Sequence, residues 1–549
     1  MKKTLVICAS AICIAGVLFA VWPLFGRNYI PTHDGEYHII RIVEFSRMLG
    51  AGYLIPRWAP DMNSGYGIPI FNYHYPLPNY VGSLARVFTH DAVYAFQISM
   101  GLGYILLAVA AYLWLSTLFG VVPALIGTTV AAFVPYLFVD MYVRGTIGEI
   151  WAMAFLFLSL FAVEKKRCVW FALTFGLLVL SHNILALLFA PFLLFYCVLR
   201  DRKALWGMAA GLGLSAFFWL PALAEQKFVV GLNTVNFREH FVRMYELLIP
   251  SWGTQFSGTG SFGKSISFQL GIAPIIAILA AIWVVRREKE KGIKQLTIYL
   301  LLVFLLCILF MFRFSRAIWE IMKPLQLIQY PWRLLSFIIP MTAYAAGYWV
   351  NRMKQRWWGI VFAVFAVTVA YSYARPVLYE PRSESYYMSR PNFTDGTSSM
   401  GNSFSTIWTG WKNVRPGAPY TIENGQLIGQ TRWKYMEKDF TVFMDETGTV
   451  TVGTLYFPGW IASVDGNEVP INYREDGIIR ISVPQGFHAI SVRFTDTPVR
   501  RVGNALSIVS VAVLAILGYT SFYEDSHRHN SSGIRTSCTG SRRVYEEPH

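Results

Sequence analysis

Twelve runs of mainly apolar residues recur along the chain, near 4–24, 92–119, 121–141, 149–163, 168–181, 184–199, 204–224, 269–285, 296–312, 332–350, 356–374 and 502–522. A helix needs roughly 20 such residues to cross a bilayer, since each adds about 1.5 Å. Hydrocarbon leaves unpaired backbone groups unsatisfied, and a helix pairs its own. The expected fold is therefore an α-helical polytopic membrane protein of about 12 transmembrane helices. Composition agrees: 54% of the 549 residues are hydrophobic and only 14% charged. The formal charge of +15 would suit a nucleic-acid binder if its Lys and Arg shared one soluble face. They sit instead in short clusters between apolar runs, so no nucleic-acid partner is expected.

Residues 1–24 open with Met-Lys-Lys and run apolar past Ala20 into Val21-Trp22-Pro23-Leu24 without a good small-residue cleavage site, which reads as an uncleaved first helix. A cytoplasmic N-terminus puts Lys165-Lys166-Arg167, Arg200 to Lys203, Arg286 to Lys294, Arg352 to Arg356 and the tail on the cytoplasmic side. That is what the positive-inside rule asks. Segments 25–91, 142–148, 225–268, 313–331 and 375–501 then lie outside. The expected organisation is a membrane module over 1–374 with its first outer loop at 25–91, an extracytoplasmic β-rich domain over 375–501, a last helix at 502–522 and a basic, disordered tail at 523–549. In the outer insert Val464-Asp465-Gly466-Asn467 reads as a hairpin turn, while Ile479, Ile481, Val483 and Ile490, Val492, Phe494 alternate as half-buried strands do. Such a module can bind a polymer or merely pack on the membrane face. Cys8, Cys13, Cys168, Cys197, Cys307 and Cys538 show no CxxC or metal-ligand spacing, which argues against disulfides and zinc.

Ionisable residues concentrate at the outer ends of the helices. The first loop carries His33, Asp34, Glu36, His38, Arg41, Arg57 and Asp61, and an aromatic stretch from Phe71 to Tyr80. An aspartate at the water–lipid boundary can take the proton of an acceptor hydroxyl, and Arg41 or Arg57 can hold a phosphate. Asp34 can equally cap the helix whose spacing begins at Glu36. His33, Asp34, Glu36 and His38 could also ligate a divalent metal, although no HExxH or paired-Asp motif reinforces this; no metal or other cofactor is the expectation. Asp140, Arg144 and Glu149, then His182 and Asn183, then Gln329, Tyr330, Trp332 and Arg333 come out at the same depth. Arg144 and Glu149 can be an ion pair closing a tight turn, and Tyr330 and Trp332 ordinary interfacial aromatics. The expected helix centres lack Asp, Glu, Lys and Arg, against the habit of ion-coupled transporters.

Several motifs together are familiar: His33-Asp34 through His38 and Arg41; Pro56-Arg57-Trp58 with Pro60-Asp61-Met62 and Gly65-Tyr66-Gly67; Tyr142-Val143-Arg144-Gly145 with Glu149; Ser181-His182-Asn183; and Gln329-Tyr330-Pro331-Trp332-Arg333. They resemble bacterial membrane proteins labelled "6-pyruvoyl-tetrahydropterin synthase-related", a group similar to the GT-C superfamily of polytopic glycosyltransferases. The label's pterin chemistry has no counterpart, for no zinc-binding histidine set is present. Tyr456-Phe457-Pro458-Gly459-Trp460, Val464-Asp465-Gly466 and Pro484-Gln485-Gly486-Phe487-His488 are similar to the outer domain of related bacterial membrane glycosyltransferases.

The resemblance, from the first helix to about residue 520, implies transfer of a sugar from a polyprenyl-phosphate carrier to an extracytoplasmic acceptor, a cell-envelope glycan, lipid or protein. Asp34 occupies the position of the essential acid, with Glu36 or Glu149 as a second. The expected reaction is an inverting displacement with Asp34 as general base and Glu36 beside it. Substrate contacts are assigned to His33, His38, Arg41, Arg57, Asp61, Arg144, Glu149, His182, Asn183, Gln329, Trp332 and Arg333. Two rivals remain: a lipid-linked glycan flippase, which should show a polar groove through the bilayer, and a non-catalytic binding or assembly protein, in which Asp34 should be dispensable.

Overall fold

The computed structural model describes residues 2–26, 28–231, 235–258, 263–389, 403–409, 412 and 416–535. Cys538 and residues 536–549 of the tail lie outside these. The main helices are α1 Lys2–Val21, α2 Gly35–Gly50, α3 Leu77–Thr89, α4 Ala92–Phe119, α5 Val121–Ala132, α6 Ile147–Glu164, α7 Cys168–Ser181, α8 Asn183–Arg200, α9 Ala204–Leu214, α10 Ala216–Glu225, α11 Ile272–Val285, α12 Lys291–Met311, α13 Ile338–Asn351, α14 Trp357–Ala370 and α15 Pro498–Arg535.

Each of the twelve expected runs has a helical counterpart, with unequal lengths. Among the described residues, six helices are long and apolar enough to cross a membrane alone. Two bent pairs are long and apolar enough when their halves are taken together, Val121–Ala132 with Pro135–Arg144 at 51° and Ala204–Leu214 with Ala216–Phe228 at 66°. The others are α7, α11, α13 and α14, each 14 residues long. The first bend falls at Pro135, which has no N–H to continue the ladder. At the second, the Ser215 hydroxyl donates to Gly211 O (2.9 Å) and Leu212 O (3.3 Å), and the Trp219 indole donates to Leu212 O (2.8 Å). The carbonyls freed by the break are thereby satisfied inside an apolar layer.

The exposed faces are those of a lipid-solvated protein: Ile7, Trp22, Leu305, Ile508 and Ile516 all stand largely uncovered. Trp114, Tyr104, Tyr196 and Tyr344 fill the interior between α4, α8 and α13. The last helix runs to Arg535, beyond the 522 boundary expected, so 523–535 is helical rather than irregular.

The outer domain is an antiparallel β-sandwich. Its strands are β1 Tyr420–Ile422, β2 Gly425–Lys434, β3 Glu437–Met444, β4 Gly448–Leu455, β5 Trp460–Val464, β6 Asn467–Val469, β7 Ile478–Val483 and β8 Gly486–Phe494. They form one sheet ordered β1-β4-β7 and another ordered β2-β3-β8-β5-β6. The β5–β6 turn has Asp465 and Gly466 both at positive φ, 53° and 82°, the twist a two-residue hairpin requires. Ile479, Ile481 and Val483 of β7 and Ile490 and Val492 of β8 are buried from opposite sheets, so the period of two in both runs reports the one core between them. Residues 375–389 belong to no strand; Tyr29 and Glu380 pair across to the first outer loop.

The sandwich is fastened to the membrane module by a buried network. Glu225 accepts from Arg500 Nε (3.1 Å) and Nη2 (2.9 Å), Asn72 Nδ2 (2.8 Å) and Thr497 Oγ1 (2.6 Å). Arg500 also donates to Pro458 O and Thr495 O and lies over the Phe457 and Phe494 rings.

Candidate active site

Residues 30–34 cross the helix ends on the side of the sandwich and are held there by backbone pairing. His33 N–H donates to Val143 O (3.0 Å) and Asp34 N–H to Arg144 O (2.8 Å). The partner segment, Val139–Arg144, is one π-helical stretch ended by Gly145 at φ 72°. A Cβ on Gly145 would collide with Thr32 Oγ1, so this approach demands glycine. The pairing sets the loop 25–91 beside a buried ionic cluster.

Glu149, at the start of α6, is the centre of that cluster. Its Oε1 accepts from Arg144 Nη2 (2.8 Å) and Arg333 Nε (2.9 Å), and its Oε2 from the Tyr136 hydroxyl (3.1 Å). Arg144 also pairs with Asp140 and donates to Tyr136 (3.2 Å). His182 Nε2 stands 4.0 Å from Glu149, while His182 Nδ1 accepts the Leu185 N–H as the cap of α8. Arg333 donates further to Ile328 O (2.8 Å) and Gln329 Oε1 (3.2 Å). The Arg144 guanidinium lies over the Trp332 ring at 4.7 Å, and Tyr330 stacks on Trp332 at 4.9 Å. Two acids and two guanidiniums in contact neutralise one another, which is how buried charges are tolerated.

Asp34 stands in the N-cap position of α2, yet its carboxylate makes no cap hydrogen bond. Among the described residues it has no ion-pair or hydrogen-bond partner, although Arg144, His33, Arg41 and Arg333 all act on it through space. Burial pushes its carboxyl above the ordinary 3.8, and those four cations and near-cations pull it back only in part. A carboxylate of raised basicity, held by its backbone but not by its side chain, can accept a proton.

Around it, Arg41 donates to His74 Nε2 (2.8 Å), and His38, His74, Tyr75 and His182 pack ring against ring. Burial holds His38 and His74 well below the usual imidazole range, so both are neutral at pH 7. His33 faces the other way: its Nε2 donates to Thr254 O (2.7 Å) and its ring stacks on Phe256 at 4.0 Å. This joins the loop 225–268 to the rim of the site.

Of the residues singled out in the sequence, Asp34, Arg41, Arg144, Glu149, His182, Gln329, Trp332 and Arg333 come together, with His33 and His38 at the edge. Asn183 donates to Tyr73 O just outside (2.9 Å). Glu36 turns away to Arg382 (2.6 Å). Arg57 belongs to the junction with the sandwich, donating to Asn72 Oδ1, Phe217 O and Asn504 Oδ1 and lying 3.5 Å from Asp496. Asp61 pairs with Arg47 beside Glu44. His33, Asp34, Glu36 and His38 diverge, and among the described residues no group of three or more His, Cys, Asp or Glu side chains could hold a metal ion. The structure adds His74 and Tyr75 from within the aromatic stretch 71–80, and Tyr136, which carries no sequence signal beyond an aromatic in an apolar run.

Residues 71–379, more than half of the chain, match the model of a family described as "6-pyruvoyl-tetrahydropterin synthase related domain; membrane protein". An uncharacterized protein of Lactococcus lactis subsp. cremoris (strain MG1363) is 23% identical over 239 residues, 38% of this chain and 38% of that protein. The chain thus spans about two fifths of that relative's length. Among solved structures, ArnT from Cupriavidus metallidurans bound to undecaprenyl phosphate is similar at 15% identity and a TM-score of 0.40, over 66% of this chain and 63% of that one. The Archaeoglobus fulgidus oligosaccharyltransferase in its apo form is similar at 14% identity and a TM-score of 0.41, over 73% of this chain and 57% of that one.

Proposed function

The chain belongs to the 6-pyruvoyl-tetrahydropterin synthase related family of membrane proteins, and from that premise we propose that it is a GT-C-like glycosyltransferase. It moves a sugar from a polyprenyl-phosphate donor to an acceptor on the extracytoplasmic side, with both termini in the cytoplasm. The observation that carries this reading is the Asp34 carboxylate, uncommitted to its cap and set beside Arg41, Arg144 and Arg333.

The acceptor oxygen attacks the anomeric carbon as its proton passes to Asp34 Oδ. The bond from that carbon to the phosphate oxygen breaks, and its electron pair leaves with the phosphate, inverting the centre. Negative charge grows on the phosphate during this step, and three guanidiniums in one buried site favour it electrostatically. Arg144 and Arg333 are already fixed by Glu149, so they act as an oriented field rather than as mobile clamps. Glu149 is a positioning residue in this scheme, and Glu36 and Arg57 take no part.

The test is transfer from radiolabelled polyprenyl-phosphate sugars to crude envelope acceptors by wild type and by Asp34→Asn at equal expression. Transfer by wild type that disappears in the variant supports the enzyme and its base. Transfer that survives moves the base elsewhere, and none by either protein favours a binding role.

A further inference from the structure

The end of α13 remote from the ion cluster carries a groove that the proposed reaction does not use. It runs across the turn from α13 to α14, lined by Trp349, Trp358, Phe362 and Phe365 with Lys354 and Gln355 at its loop end, and is an open trough of about 710 Å³. Ligand sites commonly hold roughly 300–1,000 Å³. The wall is almost wholly apolar along one side of α14, where Trp357 to Phe365 covers about 12 Å of helix.

The turn itself is basic and aromatic, with Arg352, Lys354 and Arg356 beside Trp357 and Trp358. Tryptophan and lysine in that combination mark the level of the lipid headgroups. The three cations are not equivalent. Arg352 is committed to Glu288 (2.9 Å) and Glu290 (3.4 Å), and Arg356 donates to Asn351 (3.1 Å). Lys354 is exposed and, among the described residues, makes no ion pair. An apolar trough thus ends at an exposed lysine that, among the described residues, makes no ion pair.

We infer that this groove binds one anionic glycerophospholipid, an acyl chain lying against Phe362 and Phe365 and the headgroup phosphate on Lys354. The attraction between a headgroup anion and a lysine at the interface is of the size that gives a roughly fivefold preference over a zwitterionic lipid. The inference does not depend on sugar transfer and would stand if the protein catalysed none.

The experiment is native mass spectrometry of the full-length protein in detergent, offered phosphatidylglycerol and phosphatidylcholine of identical chains in equal amount. Expected is one retained phosphatidylglycerol at roughly fivefold excess over phosphatidylcholine, kept by Lys354→Arg and lost by Lys354→Gln. Phe362→Trp, which fills the trough, should lower retention of both lipids. Equal retention of the two lipids by wild type, or a preference that survives Lys354→Gln, would overturn it. Lys294→Gln, at another basic cluster, serves as the control that should leave the ratio alone.

Discussion

Two buried arginine–carboxylate networks stand at the helix ends on the side of the sandwich, and they are finished to different degrees. In the junction under the sandwich, both Glu225 oxygens are bonded, and all three Arg500 nitrogens donate. In the cluster around Glu149, the inner pairs are as tight, but the edge is left open. Asp34 lacks its cap bond, and among the described residues one Asp140 oxygen, the Trp332 indole N–H and the Thr32 hydroxyl have no partner. A buried polar atom without a partner costs on the order of 1–3 kcal/mol, so a fold keeps several together only where something else gains from them. The completed network reads as an anchor and the open one as a place for chemistry.

The largest expected effect separates the two directly. Asp34→Asn should lower sugar transfer by about 10²–10⁴-fold, the usual loss of a general base, while the protein still folds and still elutes as wild type. A variant that retains transfer would make Asp34 one more polar residue at a helix start, and the contrast would vanish.

At the junction the effect should fall on stability. Arg500→Met leaves Glu225 buried without its guanidinium, which costs about 3–5 kcal/mol. Chemical denaturation in detergent would read that loss, and limited proteolysis should release the sandwich first. Transfer per folded molecule should not change. A variant that stayed stable but stopped transferring would place the junction in the mechanism instead.

Next in size is His33, which touches both the site and the loop 225–268. Replacing it by Leu removes the bond to Thr254 O, worth about 1 kcal/mol, so the KM for acceptor should rise roughly fivefold with kcat unchanged. A fall in kcat at constant KM would show that His33 serves the reacting atoms and not the loop.

How much of this contrast could be read beforehand differs between the networks. Arg144, Glu149, His182 and Arg333 stand out in the sequence because an ionisable residue at the end of an apolar run has few bland explanations. Their placement at helix ends follows from hydropathy alone. The alternation of β7 and β8 was equally plain, but their membership of opposite sheets was not, because a period of two names a buried face and not a partner. The junction was invisible: Glu225 and Arg500 are 275 residues apart. The same distance hides the partner of Glu36, Arg382, which lies 346 residues on. Arg57, read as a phosphate ligand, satisfies backbone and amide groups near α15 for the same reason. Local spacing carries no information about such pairs; Glu225 and Arg500 meet only because α10 packs against α15.

The smallest effect tests whether the open edge has a thermodynamic cost. In the folded protein the Asp34 carboxyl lies above its ordinary value because burial penalises the anion more than Arg144, His33, Arg41 and Arg333 favour it. In the unfolded chain it titrates near 3.9. Between those two values the folded state holds a proton that the unfolded state has released. Stability therefore falls as pH rises through that window, and the deficit persists at all higher pH. Asp34→Asn carries no such deficit. Its melting temperature in detergent should exceed that of wild type at pH 7.5, and the difference should close as pH falls toward the unfolded value. Higher stability at the expense of activity is the signature of a residue kept for chemistry. Equal melting of the two proteins at pH 7.5 would mean that Asp34 is as comfortable as Glu225, and that the two networks differ in appearance only.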